Sequence, residues 1–390
     1  MRYCKLCKCI LNYVHNRWMS QLCVIMFLIL LFSPKFTYAS EQMNIEEFKQ
    51  EVKNYSNDVF PELSNENWIS DVISGNMNLD GQGVLNKIAD IFIIQFKENK
   101  SLLIKIIGIS LLCTILKHLQ NNFSGNVSEI AFYVCYMLII ILISISFSNI
   151  VSGCIKSISK LKNFMNIIIP VLITLLLTMG NIATVSILQP VILTMISVIT
   201  TIVSNLVIPI VLISTILNLV SNISEEVKLE KLSKFFKSSM IYLIEFMMII
   251  FVGILSLEGT LSAGVDGVTA KVAKTVVSNS VPVVGKLLSD ATDSVIGSIG
   301  ITKNAIGVIG ILVIVAITSG PIIKSFFLML MFNLTSAICD TIADSRISKC
   351  LSLTAESIKL IFGIMVMVTF LFIIAITLMI KMSNFSLIFN

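Results

Sequence analysis

Residues 187–219 read ILQPVILTMISVITTIVSNLVIPIVLISTILNL, 33 residues without one Asp, Glu, Lys or Arg. An amphipathic helix keeps one polar face and a half-buried strand alternates, but this run is apolar on every side. About 20 such residues cross the hydrocarbon core of a bilayer as an α-helix, so the run is too long for one straight span. Pro209 removes a backbone donor in its middle and frees the carbonyl of Asn205, which makes Asn205 and Pro209 a candidate kink. Broken helices with polar groups at mid-membrane line transport cavities. A long tilted helix with a packing kink accounts for the same pattern, and two shorter spans would reverse the topology beyond them.

The surrounding sequence has the same character. Of 390 residues, 56% are apolar and 13% charged, with mean hydropathy +0.93, whereas soluble domains are about a quarter charged. Seven stretches are long and apolar enough to span: 129–151, 164–181, 187–219, 240–258, 304–320, 322–339 and 358–381. The expected fold class is therefore all-α, a polytopic helical bundle of about seven spans, range six to eight. An eighth stretch, 102–119, has only eleven uncharged residues between Lys105 and Lys117. If it crossed, the lysine-bearing loop at Lys156, Lys160 and Lys162 would lie outside, against the positive-inside rule. It is therefore read as interfacial or re-entrant, within 101–126. The loop with Lys228, Lys231, Lys234 and Lys237, a tight hairpin at Lys324, and Lys381 then fall inside.

The formal charge of +5 sits in the first 39 residues, where Arg2, Lys5, Lys8, Arg17 and Lys35 have no acid among them. A basic stretch, an apolar run from Leu22 to Phe32 and a small-residue site ending at Ala39 form a secretory signal pattern. An uncleaved anchor is the alternative, though the apolar run is about half a span. Residues 40–100 carry five Lys against eleven acids and read as an extracytoplasmic helix–turn–helix: Ile45, Phe48, Val52 and Tyr55, then Val84, Leu85, Ile88, Ile91 and Phe92. About 60 residues is marginal for an independent core, so this segment is expected to pack against the membrane domain or a partner.

Residues 259–303 are too polar to span and too apolar for a solvated loop. Val265, Val268, Val272 and Val276 form one apolar helical stripe, and Val284, Leu287, Leu288, Ala291, Val295 and Ile299 a second after Pro282. On the second helix Gly285, Ser289, Asp293 and Gly297 recur every four residues, a small-residue ridge suited to close backbone approach. Lys286 and Asp290 are placed to pair. The segment reads as a Gly-rich hairpin, either lining a pore or subunit seam or lying on the bilayer as an amphipathic cap. Pro282, Gly285, Lys286, Ser289, Asp290, Asp293 and Gly297 are the candidate seam residues. The bundle divides into 127–258 before this hairpin and 304–390 after it.

Catalytic readings have little to stand on. Only His118 follows the signal, no His-Glu-x-x-His motif is present, and Asp290 and Asp293 share one helix. The cysteines imply no disulfide framework. Glu245 and Glu258 lie near span ends, where snorkelling accounts for them. No enzyme activity, cofactor, metal or nucleic acid is expected.

The stretch from Ser280 to Val295, SVPVVGKLLSDATDSV, preceded by Glu258-Gly259 and followed by Thr318-Ser319-Gly320-Pro321, resembles the stage III sporulation protein AE family of endospore-forming bacteria. The resemblance extends to the signal peptide, the polar segment and the order of spans. It implies a polytopic subunit of a multiprotein channel in the mother-cell membrane surrounding the forespore. The implied companions include a secretion-type ATPase, ring-forming proteins of the intermembrane space and a forespore protein. The family offers no catalytic residues to carry over. Residues 222–240 read as an amphipathic helix with Leu229, Leu232, Phe235 and Phe236 opposite Lys228, Lys231, Lys234 and Lys237. These lysines are the candidate cytoplasmic docking site for the ATPase, or a contact with the anionic leaflet of the lipid bilayer. A stand-alone secondary transporter is the competing reading, and a homo-oligomer is left open.

Overall fold

A chain so rich in isoleucine and valine would favour strands in water. In hydrocarbon each backbone group must find its partner within the chain, and a helix does this locally. The computed structural model describes residues 45–56, 81–119, 125–221, 229–280, 284–342 and 345–382, and all of them but a turn at Met179-Gly180-Asn181 and Leu229 are helical. In order they are α1 (Ile45–Ser56), α2 (Gly81–Leu119), α3 (Gly125–Thr178) and α4 (Ile182–Ile202). A π-helical turn (Val203–Val207) leads into α5 (Ile208–Ser221), followed by α6 (Glu230–Ser280), α7 (Val284–Ile342) and α8 (Ser345–Met382). Residues 43–390 form one compact unit.

Among the described residues, six helices are long and apolar enough to cross a membrane: Ala89–Leu116, Tyr133–Thr178, Gln189–Ser221, Glu230–Ile254, Ser294–Ile342 and Ser345–Lys381. The chain is an all-α, multi-pass helical bundle, as its hydropathy indicates. Six helices replace seven stretches because of mergers and one addition. Stretches 129–151 and 164–181 are one helix, α3, and Lys156, Lys160 and Lys162 lie on it instead of in a loop. Stretches 304–320 and 322–339 are likewise one helix, α7, with no hairpin at Lys324. Residues 102–119 are no separate interfacial or re-entrant piece but the second half of α2, continuous with the end of the acidic segment. The helices expected over 259–303 are the end of α6 and the start of α7, on either side of residues 281–283, which lie outside the described residues.

Internal prolines explain the merged spans. Pro170 and Pro321 each withhold a donor, yet the helices run through them. The carbonyls they free are those of Asn166 and Ile317, while Thr174 donates to the Pro170 carbonyl at 2.9 Å and Ser325 to the Pro321 carbonyl at 2.7 Å. Prolines are tolerated inside membrane helices where the surroundings re-satisfy the freed groups. The true break follows Thr178, where Gly180 takes φ +85°. The Asn181 N–H donates to the Leu176 carbonyl at 3.1 Å and the Gly180 N–H to the Leu177 carbonyl at 3.0 Å, the double bond of a Schellman stop.

The core lies where α3, α7 and α8 meet. Phe164, Ile168 and Leu172 of α3, Ile309 and Val313 of α7, and Met365, Phe372 and Ile376 of α8 are all buried. Gly307 faces Ile380, and Gly310 faces Ile168 and Ile376, so closely that a Cβ at either glycine would displace them. Hydroxyl pairs join the antiparallel neighbours. Ser214 of α5 and Ser233 of α6 exchange bonds with each other's carbonyls at 2.9 and 2.8 Å. Ser336 of α7 donates to the Ser348 carbonyl of α8 at 2.9 Å.

The short amphipathic α1 packs on α3. Phe48 stacks on Phe164 with ring centroids 6.3 Å apart, Tyr55 meets the same ring edge-on, and the Lys160 ammonium sits 5.9 Å from the Tyr55 ring centre. The sequence assigns α1 and these lysines to opposite sides of the membrane. That assignment fails here, because residues in contact cannot be a bilayer apart.

Gly310→Val must push Ile168 and Ile376 aside and is expected to lower the stability of the purified chain by about 1–3 kcal/mol, read as an earlier unfolding midpoint in detergent. Gly363→Ala has nothing within 4 Å of the added methyl and is expected to be neutral or stabilising by up to ~1 kcal/mol. Equal losses at both positions would refute the close contact.

Candidate functional site

The start of α6 brings the docking lysines against α8. Glu230 binds Lys234 at 2.8 Å through one carboxylate oxygen and Lys349 of α8 at 3.1 Å through the other. These side chains are a third to two-thirds exposed, so the pairs add little stability, but they pin two helix starts together. Lys231 is exposed and Lys237 half-buried on the same turns; Lys228 lies outside the described residues. The amphipathic reading needs correction. Leu232 and Phe235 are 44% and 64% exposed, beside the lysines, and the buried positions are Ser233, Met240 and Ile244. The face that enters the bundle is chosen by the Ser214 contact, which one-dimensional periodicity does not contain.

The kink residues lie at the π turn. The Ile208 N–H reaches back to the Val203 carbonyl, an i→i−5 bond that adds a residue to the turn just before Pro209. Asn205 is exposed on the outside of the bundle and Pro209 half-buried. The helix continues through the turn, so 187–219 is one run and not two spans.

Of the seam residues, Gly297 is half-buried, with open space where a Cβ would stand. Pro282, and the side chains of Gly285, Lys286, Ser289, Asp290 and Asp293, lie outside the described residues. The glycines that let helices touch are Gly307 and Gly310, about three and three and a half turns beyond Gly297 along α7. Their three-residue spacing was the available signal, and it was read as part of an ordinary span. Among the described residues no group of three or more His, Cys, Asp or Glu is placed to hold a metal.

The polytopic helical architecture and its lysine-bearing α6 start can be compared with known proteins. The family model described as "Stage III sporulation protein AE (spore_III_AE)" matches residues 63–383. The chain belongs to the stage III sporulation protein AE family. It is 28% identical over 348 residues to "Stage III sporulation protein AE" of Bacillus subtilis (strain 168), covering 89% of this chain and 87% of that protein. No solved structure matches. Membership of this sporulation family gives the chain a role in sporulation, and its matched region holds every membrane-length helix.

One residue of this family member went unnoticed in the sequence. Lys303 is completely buried, and its ammonium donates to the Ile380 carbonyl at 2.7 Å and the Met379 carbonyl at 3.5 Å. These belong to the last turn of α8, whose carbonyls have no partner within the helix and carry its negative dipole end. Lys303 thereby caps α8 from α7 across a sequence separation of 76, a contact no local pattern encodes. On the opposite flank, burial first, then the hydrogen bond and charge of Glu51, push the Tyr55 phenol up to about 12.

Lys303→Met keeps the apolar stem and deletes the cap. It is expected to cost about 1–2 kcal/mol and to speed amide hydrogen exchange over 376–382; unchanged exchange there would remove the capping role. For Tyr55, whose pKa is raised in the fold, the stabilising contribution is complete below the usual phenol value of about 10 and is lost as pH rises towards 12. Subtracting the ultraviolet titration of Tyr55→Phe from that of the parent should isolate this late ionisation, and a difference centred near 10 would contradict it.

Proposed function

We propose that the chain is a non-enzymatic integral membrane subunit of a channel-like, secretion-like complex linking mother cell and forespore, required for forespore development and resident in the mother-cell membrane around the forespore. The observation that carries this reading is the family match over 63–383, which takes in every membrane-length helix. Its partners are other membrane and ring-forming proteins of that complex and a secretion-type ATPase. The exposed lysines at the start of α6, held in place by Glu230 and Lys349, are a docking site of suitable charge for the ATPase. The transporter reading draws no support from the π turn, because Asn205 faces outward and lines no internal cavity.

The test replaces the native gene with a Lys231→Glu, Lys234→Glu double variant in an endospore former. Co-purification of the ATPase and spore yield are expected to fall together while the variant accumulates normally in the membrane. Normal yield with normal co-purification would remove this docking site. In parallel, the purified chain in sealed vesicles is expected to show no uptake driven by an ion or proton gradient; gradient-driven uptake by the chain alone would overturn the subunit reading in favour of a transporter.

A further inference from the structure

Two helix pairs of the bundle are built on one unit. α5 pairs with α6 and α7 with α8, and the second helix of each pair opens on the same pattern: Lys231-Leu232-Ser233-Lys234 on α6 and Arg346-Ile347-Ser348-Lys349 on α8. In both, the serine is buried and bonded to a serine of the helix before it, Ser233 with Ser214 and Ser348 with Ser336. The lysine that follows is exposed in both. Ile158-Ser159-Lys160 has the same letters in the interior of α3, away from any helix start. The bridge to the preceding helix therefore defines the unit, and the letters alone do not.

The two copies lie side by side. Glu230 reaches Lys349 across a sequence separation of 119, and Lys237 and Glu356, separated equally in sequence, are near enough for their charges to act on each other. An unchanged offset means that α6 and α8 run parallel here, so Lys234 and Lys349 stand at equivalent places on neighbours pointing the same way. They converge on one carboxylate. Lys234 takes one oxygen of Glu230 at 2.8 Å and Lys349 the other at 3.1 Å. The place in the α8 copy that corresponds to Glu230 is Ser345, so the carboxylate is an addition to the repeat and no part of it.

Two ammonium groups on the two oxygens of a single carboxylate form a clamp for an anion of that shape. Its present occupant is weakly held. All three side chains are a third or more exposed, and exposed pairs of this kind contribute little and break readily. The surroundings favour a second anion: with Lys231, Lys237 and Arg346 beside the clamp and Glu356 the one further acid named here, positive charge is in surplus even with Glu230 in place.

We propose that Lys234 and Lys349 together bind a carboxylate of an acidic partner segment, and that Glu230 is the chain's own stand-in, which occupies the clamp until the partner displaces it. The clamp rests on the docking role given above to the start of α6 and adds two things to it. Lys349 of α8 becomes half of the docking site, and Glu230 becomes a brake on it. A carboxylate tethered one turn from its lysine competes at high effective concentration. A single free carboxylate therefore does not displace it, whereas a segment with several acids in a row does.

The test measures how much ATPase the tagged full-length chain retains from membranes of an endospore former, with each variant compared at parental abundance. Glu230→Gln keeps the size and loses the charge, and is expected to raise retention about three- to tenfold at limiting ATPase. Adding Lys349→Gln to it is expected to cancel the gain. Asp340→Asn removes another exposed acid, one turn beyond Ser336 on α7, without touching the clamp, and is expected to change retention by less than about twofold. Unchanged or reduced retention in Glu230→Gln, a gain that survives Lys349→Gln, or an equal gain from Asp340→Asn would each overturn the clamp. The docking reading stands in those cases if the Lys231→Glu, Lys234→Glu variant still loses the ATPase. If that double variant retains it, the docking reading falls and the brake falls with it.

Discussion

The contact of α3, α7 and α8 around Gly307 and Gly310 sets the register on which the rest of the bundle depends. In lipid, apolar side chains gain little from leaving one apolar medium for another, so helices associate through close van der Waals packing and polar contacts between them. Two glycines let Ile168, Ile376 and Ile380 come up to the α7 backbone. Once these helices are locked at that depth, other contacts follow without freedom of choice. Lys303 falls beneath the last carbonyls of α8, and Ser336 falls opposite Ser348. Glu230 can then bridge Lys234 and Lys349 only because α6 is registered to α8 in turn.

The fold class was legible from the uncharged runs alone, because the bilayer excludes every alternative to a helix or a closed barrel. The boundaries between helices were less so. Gly320-Pro321 and the lysines at 156, 160 and 162 are chain breakers or loop formers in water, but here the helices α3 and α7 continue through both. Gly180 does make a stop, since its positive φ is a conformation that L side chains resist. The candidate site divides in the same way. The lysines at the start of α6 were visible as a charge cluster, but which side of that helix enters the bundle depends on Ser214, nineteen residues away. Lys303 and its α8 partners are further apart still, and nothing local distinguishes a capping lysine from one that ends a span.

Charge supplies the last step. Lys324 on α7 and Lys359 on α8 flank the Phe326–Phe362 contact, Lys156, Lys160 and Lys162 follow Cys154 of α3, which Ser325 reaches, and Lys303 and Lys381 lie at the other end of the α7–α8 contact. Positive residues flanking spans govern orientation, whereas acids contribute little. By that rule the lysine-rich end is the one expected to face the cytoplasm. Because Phe48 and Tyr55 pack on Phe164 beside Lys160, α1 lies beside the α3 lysines. The export signal expected at 1–39 and the positive-inside reading of the α3 lysines make opposite demands on this one short helix, which its contacts hold beside Lys160.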